Sequence, residues 1–143
     1  MANNTIKIAD SSSEIRRCYG VMKQLRDLAT PEDFEQRVSV QQKEGYTLAF
    51  VESEGQVVAV AGFRYYHMLA TGKTLYVDDL VTDEARRSER FGEALIQWLI
   101  ELARSSHCRM FSLDSGTQRR RAHRFYFMQG MHIANYHFEL PLS

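Results

Sequence analysis

A mixed α/β fold, with a mainly antiparallel sheet and helices on both faces, is the class this 143-residue chain predicts. Three observations carry the prediction. Segments of period-two alternation are separated by turn signals, amphipathic segments at helical period fall between them, and one of these helices sits where it can cross over between two late strands. The predicted element order is β-α-α-β-β-β-α-β-α-β.

Residues 5–9 (TIKIA) alternate and read as the first strand. Serines 11–13 offer an N-cap, with Glu14 close behind to favour the helix dipole, and the helix that follows places Ile15, Tyr19, Met22 and Leu25 on one side. Thr30-Pro31-Glu32-Asp33 starts a second helix, with a capping Thr, Pro at N1 and two acids, and this helix runs to about Lys43, before Gly45. Three strands follow. Residues 46–52 and 56–66 flank Glu54-Gly55, a hairpin turn signal. Ala70-Thr71-Gly72-Lys73 makes the next turn, and residues 74–82 form the third of these strands. A helix over about residues 90–105 carries the apolar stripe Phe91, Leu95, Trp98, Leu99 and Leu102. Residues 109–113 form another strand, Asp114-Ser115-Gly116 turns the chain, and a helix over about 118–128 ends at the C′ glycine Gly130. Residues 132–140 close the chain with strand character, and Pro141 stops further pairing. No repeat or long linker interrupts this, so residues 1–143 read as one domain.

Hydrophobic residues make up 44% and charged residues 25%, with formal net charge +0, which does not fit a nucleic-acid or membrane-surface protein. The distribution of charge is more informative. Arg86, Arg87, Arg90, Arg119, Arg120, Arg121 and Arg124 form two clusters near helix starts, as suits a polyanion such as a nucleotide or a pair of solvated helix faces. The run Arg119–Arg121 has no aromatic platform or RNA module beside it, which argues against RNA. Cys18 and Cys108 fit no metal spacing and no disulfide scaffold, in keeping with a reducing, cytoplasmic setting. The N-terminus lacks an apolar signal core, and no apolar run approaches membrane-spanning length.

The most informative stretch is residues 75–95, LYVDDLVTDEARRSERFGEAL. A strand feeds a helix N-terminus through an arginine-rich loop, with Gly92 in the first turn. Free N–H groups and the helix dipole favour an anion there, and arginines add fork-shaped donors. The same features also describe an ordinary strand-to-helix connection.

Two motifs together decide between these readings. Arg87-Ser88-Glu89-Arg90-Phe91-Gly92 is similar to the Arg/Gln-x-x-Gly-x-Gly/Ala pyrophosphate loop of the GCN5-related N-acetyltransferase (GNAT) superfamily. Leu113-Asp114-Ser115, with Ala122-His123-Arg124-Phe125-Tyr126 and Gly130-Met131, resembles that family's later signature. The resemblance covers nearly the whole chain. Two positions depart from the pattern: Arg90 stands at the loop's first glycine, and Arg119 stands where many members carry asparagine. A Cβ at position 90 removes easy access to positive φ. Such a loop can keep negative φ and turn the arginine outward, or use the arginine on a phosphate.

The resemblance implies an acetyl-CoA cosubstrate and no metal. It implies central strands splayed around the acyl-CoA, with backbone of Leu80, Val81 and Thr82 pairing with the pantetheine arm. It implies Arg87, Ser88, Glu89, Arg90, Phe91, Gly92 and Glu93 around the pyrophosphate, with Arg119 near the cofactor. Tyr126 stands at the family's general-acid position, able to donate to the CoA sulfur. Asp78 stands where the superfamily's diamine acetyltransferases carry a carboxylate that accepts the amine proton, directly or through water. Alternation puts Asp78 and Asp79 on opposite faces of their strand, so only one faces the cleft. His123, three residues before Tyr126, is an alternative base. The acceptor is a primary amine of a small molecule or peptide, held by the first two helices, by Tyr65, Tyr66, His67 and Met68, and by the last strands, with Glu32, Asp33 and Glu35 favouring a cation. No nucleophile triad is evident, so direct attack in a ternary complex is expected. The alternative is a non-catalytic acyl-CoA-binding sensor or assembly domain. An edge strand near the C-terminus is able to pair with a second copy, giving a homodimer.

Overall fold

The computed structural model describes residues 4–143; residues 1–3, part of the segment read for a signal core, lie outside the described residues. The chain divides into two compact units, Met1–Ser112 and Leu113–Ser143.

The first unit is built on a five-stranded sheet in sequence order, β1 (Asn4–Ile8), β2 (Thr47–Ser53), β3 (Gln56–Met68), β4 (Gly72–Thr82) and β5 (Met110–Leu113). The first four strands pair antiparallel with their neighbours. The β2–β3 turn uses Glu54 at φ 53° and Gly55 at φ 79°, the two positive angles that a tight two-residue hairpin requires. β5 is reached through helix α4 (Phe91–Ser105) and joins beside the start of β4, where the Arg109 N–H donates to the Lys73 carbonyl at 2.8 Å.

Helices α1 (Ser12–Arg17), α2 (Tyr19–Met22) and α3 (Pro31–Gln42) cover one face of the sheet. Their caps follow the sequence reading. Ser11 and Glu14 form a reciprocal capping box, and the Thr30 hydroxyl accepts from the Asp33 N–H at 3.0 Å with Pro31 in the first turn. The anticipated first helix is broken at Cys18, whose N–H turns to the Ile15 carbonyl in a tighter i→i+3 bond. Ile15, Cys18, Met22, Phe34 and Val38 pack there against Leu48, Phe50 and Val60 of the sheet. On the opposite face α4 buries Phe91, Leu95, Ile96 and Leu99, and Trp98 meets Phe63 edge-on at 6.4 Å.

The pairing of β3 with β4 shifts register between Gly62 and Phe63: Gly62 opposes Asp79 while Phe63 opposes Val77. Asp78 is therefore an extra residue, a β-bulge, and the alternation changes phase across it. This corrects the expectation that Asp78 and Asp79 lie on opposite faces. Tyr76, Asp78 and Asp79 all line one cavity on the α3 side.

The second unit carries α5 (Arg120–Met128), with Gly130 following its C-cap at φ 87°. The strand expected over residues 132–140 is absent; that segment has no regular structure, and Tyr136, Phe138 and Leu140 are exposed. A strand exists only as a member of a ladder, and the alternation that suggested one supplies no partner.

Candidate active site

Where β4 bulges toward α3, the sheet and the helices enclose a cavity of about 470 Å³, the size of a small-molecule site. Its polar lining includes Asp78, Asp79, Tyr46, Tyr76, Arg26 and Arg37, and Met22, Leu28, Phe34 and Val38 are its apolar lining.

Each carboxylate is held in place. Arg64 grips Asp78 with a fork, Nε to Oδ1 at 3.0 Å and Nη2 to Oδ2 at 2.7 Å, and that partly buried pairing raises the guanidinium pKa. Asp79 accepts from Arg26 Nε at 2.8 Å on one oxygen and from the Tyr46 hydroxyl at 2.7 Å on the other. Arg26 also donates to the Asp78 carbonyl at 2.8 Å, tying the bulge to the segment that follows α2. Burial pushes the Tyr46 hydroxyl well above the usual phenol pKa, and the Asp79 charge adds to the effect, so Tyr46 stays a proton donor. The phenol reaches Asp79 by passing over Gly62, where an added Cβ would come within 1.8 Å of its oxygen.

Beyond the bulge, Leu80 and Thr82 are half-buried and Val81 is in the core. β5, four residues or about 13 Å long, lies beside the beginning of β4, so it covers only the first part of that eleven-residue strand. The edge of β4 away from β3 is thus open along residues 80–82.

A 3-10 turn over Glu84–Glu89 then leads into α4. Arg90, the residue before the helix, adopts φ 65° and ψ 24°. The left-handed turn expected of a glycine is therefore kept with an arginine in place, which settles the alternative of a negative-φ loop against it. The arginine points outward, its side chain 84% exposed with a long 3.9 Å contact to Glu93. The first intrahelical bond runs from the Ala94 N–H to the Arg90 carbonyl, so the N–H groups of Phe91, Gly92 and Glu93 have no acceptor within the helix. Arg86 is tied to Glu89 and lies over the Phe91 ring. Arg87 and Ser88 are exposed, and among the described residues Arg87 has no ion pair.

In the second unit Tyr126 is half-buried on α5 and meets Phe125 edge-to-face at 5.5 Å. His123 Nε2 lies 2.7 Å from the Gly116 carbonyl, and Arg119 is exposed at the N-cap of α5. Of the acceptor residues expected elsewhere, Glu32 and Glu35 are engaged by Arg16, and Tyr65 bonds Ser106 instead of entering the cavity. Sequence reasoning missed Arg26, Tyr46, Arg64 and Tyr76. One signal was available: an isolated glycine in a strand, Gly62, marks a bulge or a close approach. Among the described residues no group of three or more His, Cys, Asp or Glu side chains could hold a metal, and no helix is long and apolar enough to cross a membrane.

A bulged central strand with an open edge, leading through a left-handed turn into a helix start with free amides, is the architecture of an acetyltransferase of the GNAT class. Comparison with known proteins agrees. The Acetyltransferase (GNAT) family matches residues 12–131, across both units, and the chain belongs to that family. It is 32% identical over 139 residues, 96% of this chain and 98% of the other, to the uncharacterized N-acetyltransferase YhdJ of Bacillus subtilis strain 168. Its fold is similar to that of glucosamine-6-phosphate N-acetyltransferase from Arabidopsis thaliana (TM-score 0.78, 20% identity, 99% of each chain). It is also similar in fold to an aminoglycoside N-acetyltransferase solved with CoA (TM-score 0.81, 12% identity, 100% of this chain and 97% of that one).

Proposed function

We propose that the protein transfers an acetyl group from acetyl-CoA to a primary amine of a small molecule or peptide, by direct attack in a ternary complex, with residues 1–143 acting as one catalytic domain. One observation carries the reading: the cavity floor at Asp78 and Asp79, the open edge at Leu80–Thr82 and the free amides at the start of α4 follow one another along a single stretch of chain. The residues present suit the cosubstrate. Unpaired N–H groups of Phe91, Gly92 and Glu93 and the free guanidinium of Arg87 match a diphosphate, with Ser88, Glu89 and Arg90 shaping the turn. The edge along Leu80, Val81 and Thr82 matches an amide-bearing arm, and the family resemblance assigns Arg119 to the cofactor.

Acetyl-CoA supplies an activated thioester. Asp78 and Asp79 hold the incoming ammonium by the lone pairs their arginine and tyrosine partners leave over, and Asp78 takes its proton, directly or through water, so that the nitrogen gains a lone pair. A backbone N–H near Leu80 would stabilise the developing oxyanion; as the new carbon–nitrogen bond replaces the carbon–sulfur bond, Tyr126 would donate to the departing sulfur, and the second nitrogen proton would leave through water, from which the phenolate regains its own.

Calorimetry and a thiol-release assay test this together. Acetyl-CoA binds the wild-type chain, and Gly92→Glu abolishes binding by placing bulk and negative charge among the amides. Tyr126→Phe lowers turnover and leaves acetyl-CoA affinity nearly intact. Unimpaired binding by Gly92→Glu would remove the phosphate assignment, and thiol release that no amine stimulates would favour a non-catalytic acyl-CoA-binding domain.

The segment after Gly130 supports a homodimer. Tyr136, Phe138 and Leu140 are 80–92% exposed and alternate, so they share one face of any strand they form. Apolar strands of this kind are stabilised by adding to an edge in a second copy. Sedimentation should return a two-chain mass that becomes one-chain when residues 132–143 are removed; a one-chain mass for the intact protein rejects the dimer.

A further inference from the structure

The turn that leads into α4 is fastened from outside its own stretch of chain. Asp83 caps it, with Oδ1 accepting from the Ala85 N–H at 3.2 Å. A second link comes from Gln24, in the connection between α2 and α3. Its Nε2 donates to the same Asp83 Oδ1 at 3.2 Å, and its Oε1 accepts from the Glu84 N–H at 2.9 Å. A backbone N–H requires an acceptor and a carboxylate requires a donor, so the two contacts together fix which way the amide is turned. Nε2 also lies 3.5 Å from the Gly20 carbonyl, one helical turn back. The segment that carries Gln24 is itself held. Val21 and Met22 before it are buried, and Arg26 after it donates to Asp79 and to the Asp78 carbonyl. The connection is thus tied to both ends of Leu80–Thr82, by Arg26 at the bulge and by Gln24 at the turn.

We infer that Gln24 is a positioning residue for the cosubstrate: by capping the turn over Glu84–Glu89 from a neighbouring segment, it holds Arg87 and the free amides at the start of α4 ready for a diphosphate. The inference rests on the acetyl-CoA reading for what the turn binds. None of the six residues of the turn is buried, so its order comes from hydrogen bonds more than from packing. The first N–H groups of such a turn have no partner within it, and Gln24 supplies an acceptor for one of them from 60 positions away. A ligand that had to order the turn on arrival would bind more weakly than one that found it formed. Gln24 is uncharged, so its loss reaches a bound anion through the shape of the turn and not through the field.

Calorimetry with acetyl-CoA and amide hydrogen exchange by NMR, both on the full chain, test the assignment, with a thermal melt to verify that each variant folds. Gln24→Ala should weaken acetyl-CoA binding about two- to tenfold, the range of one or two net hydrogen bonds, and in the ligand-free chain should speed exchange of the Glu84 amide by a similar factor. Gln24→Glu sets a carboxylate against Asp83 and should weaken binding by on the order of tenfold. Adding Asp83→Asn to Gln24→Glu exchanges donor and acceptor across the same link and returns the net charge to that of wild type. Affinity should then recover to within about twofold of wild type, a larger gain than Asp83→Asn brings to the chain that keeps Gln24. An unchanged affinity or an unchanged Glu84 exchange in Gln24→Ala would overturn the assignment, as would a gain from Asp83→Asn that is the same with and without Gln24→Glu. Failure of the wild-type chain to bind acetyl-CoA is a separate result, which would remove the cosubstrate reading and this role of Gln24 with it.

Discussion

Gly62 is where a single atom decides the site. It lies in the interior of β3, where glycine ordinarily weakens a strand, yet a Cβ there would stand 1.8 Å from the Tyr46 oxygen and 2.2 Å from the ring carbon that bears it. The phenol crosses at that point to reach Asp79, and it does so in the core, with Tyr46 only 5% exposed. Gly62→Ala should therefore displace the ring and break the Tyr46–Asp79 bond. We expect a loss of about 1–3 kcal/mol in chemical denaturation, the range of overpacked cores, together with weakened acceptor binding. An alanine variant as stable as wild type would show that the ring moves aside freely.

At the scale of elements, the turn before α4 keeps its shape against the preference of its residue. A non-glycine residue in the left-handed region costs on the order of 1 kcal/mol. Arg90 is held there at φ 65°, and its side chain makes little contact in return. Arg90→Gly should raise the melting temperature, by the equivalent of about 0.5–1 kcal/mol; an unchanged or lower value would mean that the Glu93 contact matters more than the backbone. Legibility also varied by element. The caps at Ser11 and Thr30, the hairpin at Glu54-Gly55 and the stripe of α4 were readable because each depends on residues within a few positions of one another. The phase change at Asp78 was not, because a bulge is defined by the partner strand. Arg26 and Arg64 were not readable as site residues for the same reason, since their partners lie 53 and 14 positions away.

Across the whole molecule, two acidic groups keep their protons in the folded state beyond the pH at which an unfolded chain would lose them. Burial pushes the Cys18 thiol from 9.0 to about 12, and burial with the Asp79 charge pushes the Tyr46 hydroxyl well above 10. A raised pKa of this kind contributes stability that is complete below the unfolded value and lost as pH rises toward the folded one. Unfolding free energy should thus fall by on the order of 2 kcal/mol between pH 8 and 10.5, and by less in Cys18→Ala. A flat profile in the wild type would contradict the burial of both groups. In acid the sign reverses. The carboxylates of Glu35 and Glu52, held below 4.5 by hydrogen bonds from Ser12 and Arg16 and from Arg17 and Lys7 respectively, lose their contribution as pH falls below that value.

The sequence by itself determined the class of fold, the boundaries of most elements, the resemblance to the GNAT family and the place of the turn before α4. These follow from periodicity, capping and short motifs, which act through near neighbours in the chain. Tertiary structure alone decided that both Asp78 and Asp79 face the cavity, that Arg64 and Tyr46 restrain them, that Arg90 takes a glycine's conformation, and that residues 132–140 form no strand. Each of these depends on which distant strand or side chain comes to lie alongside, and hydrophobic pattern carries no record of the partner.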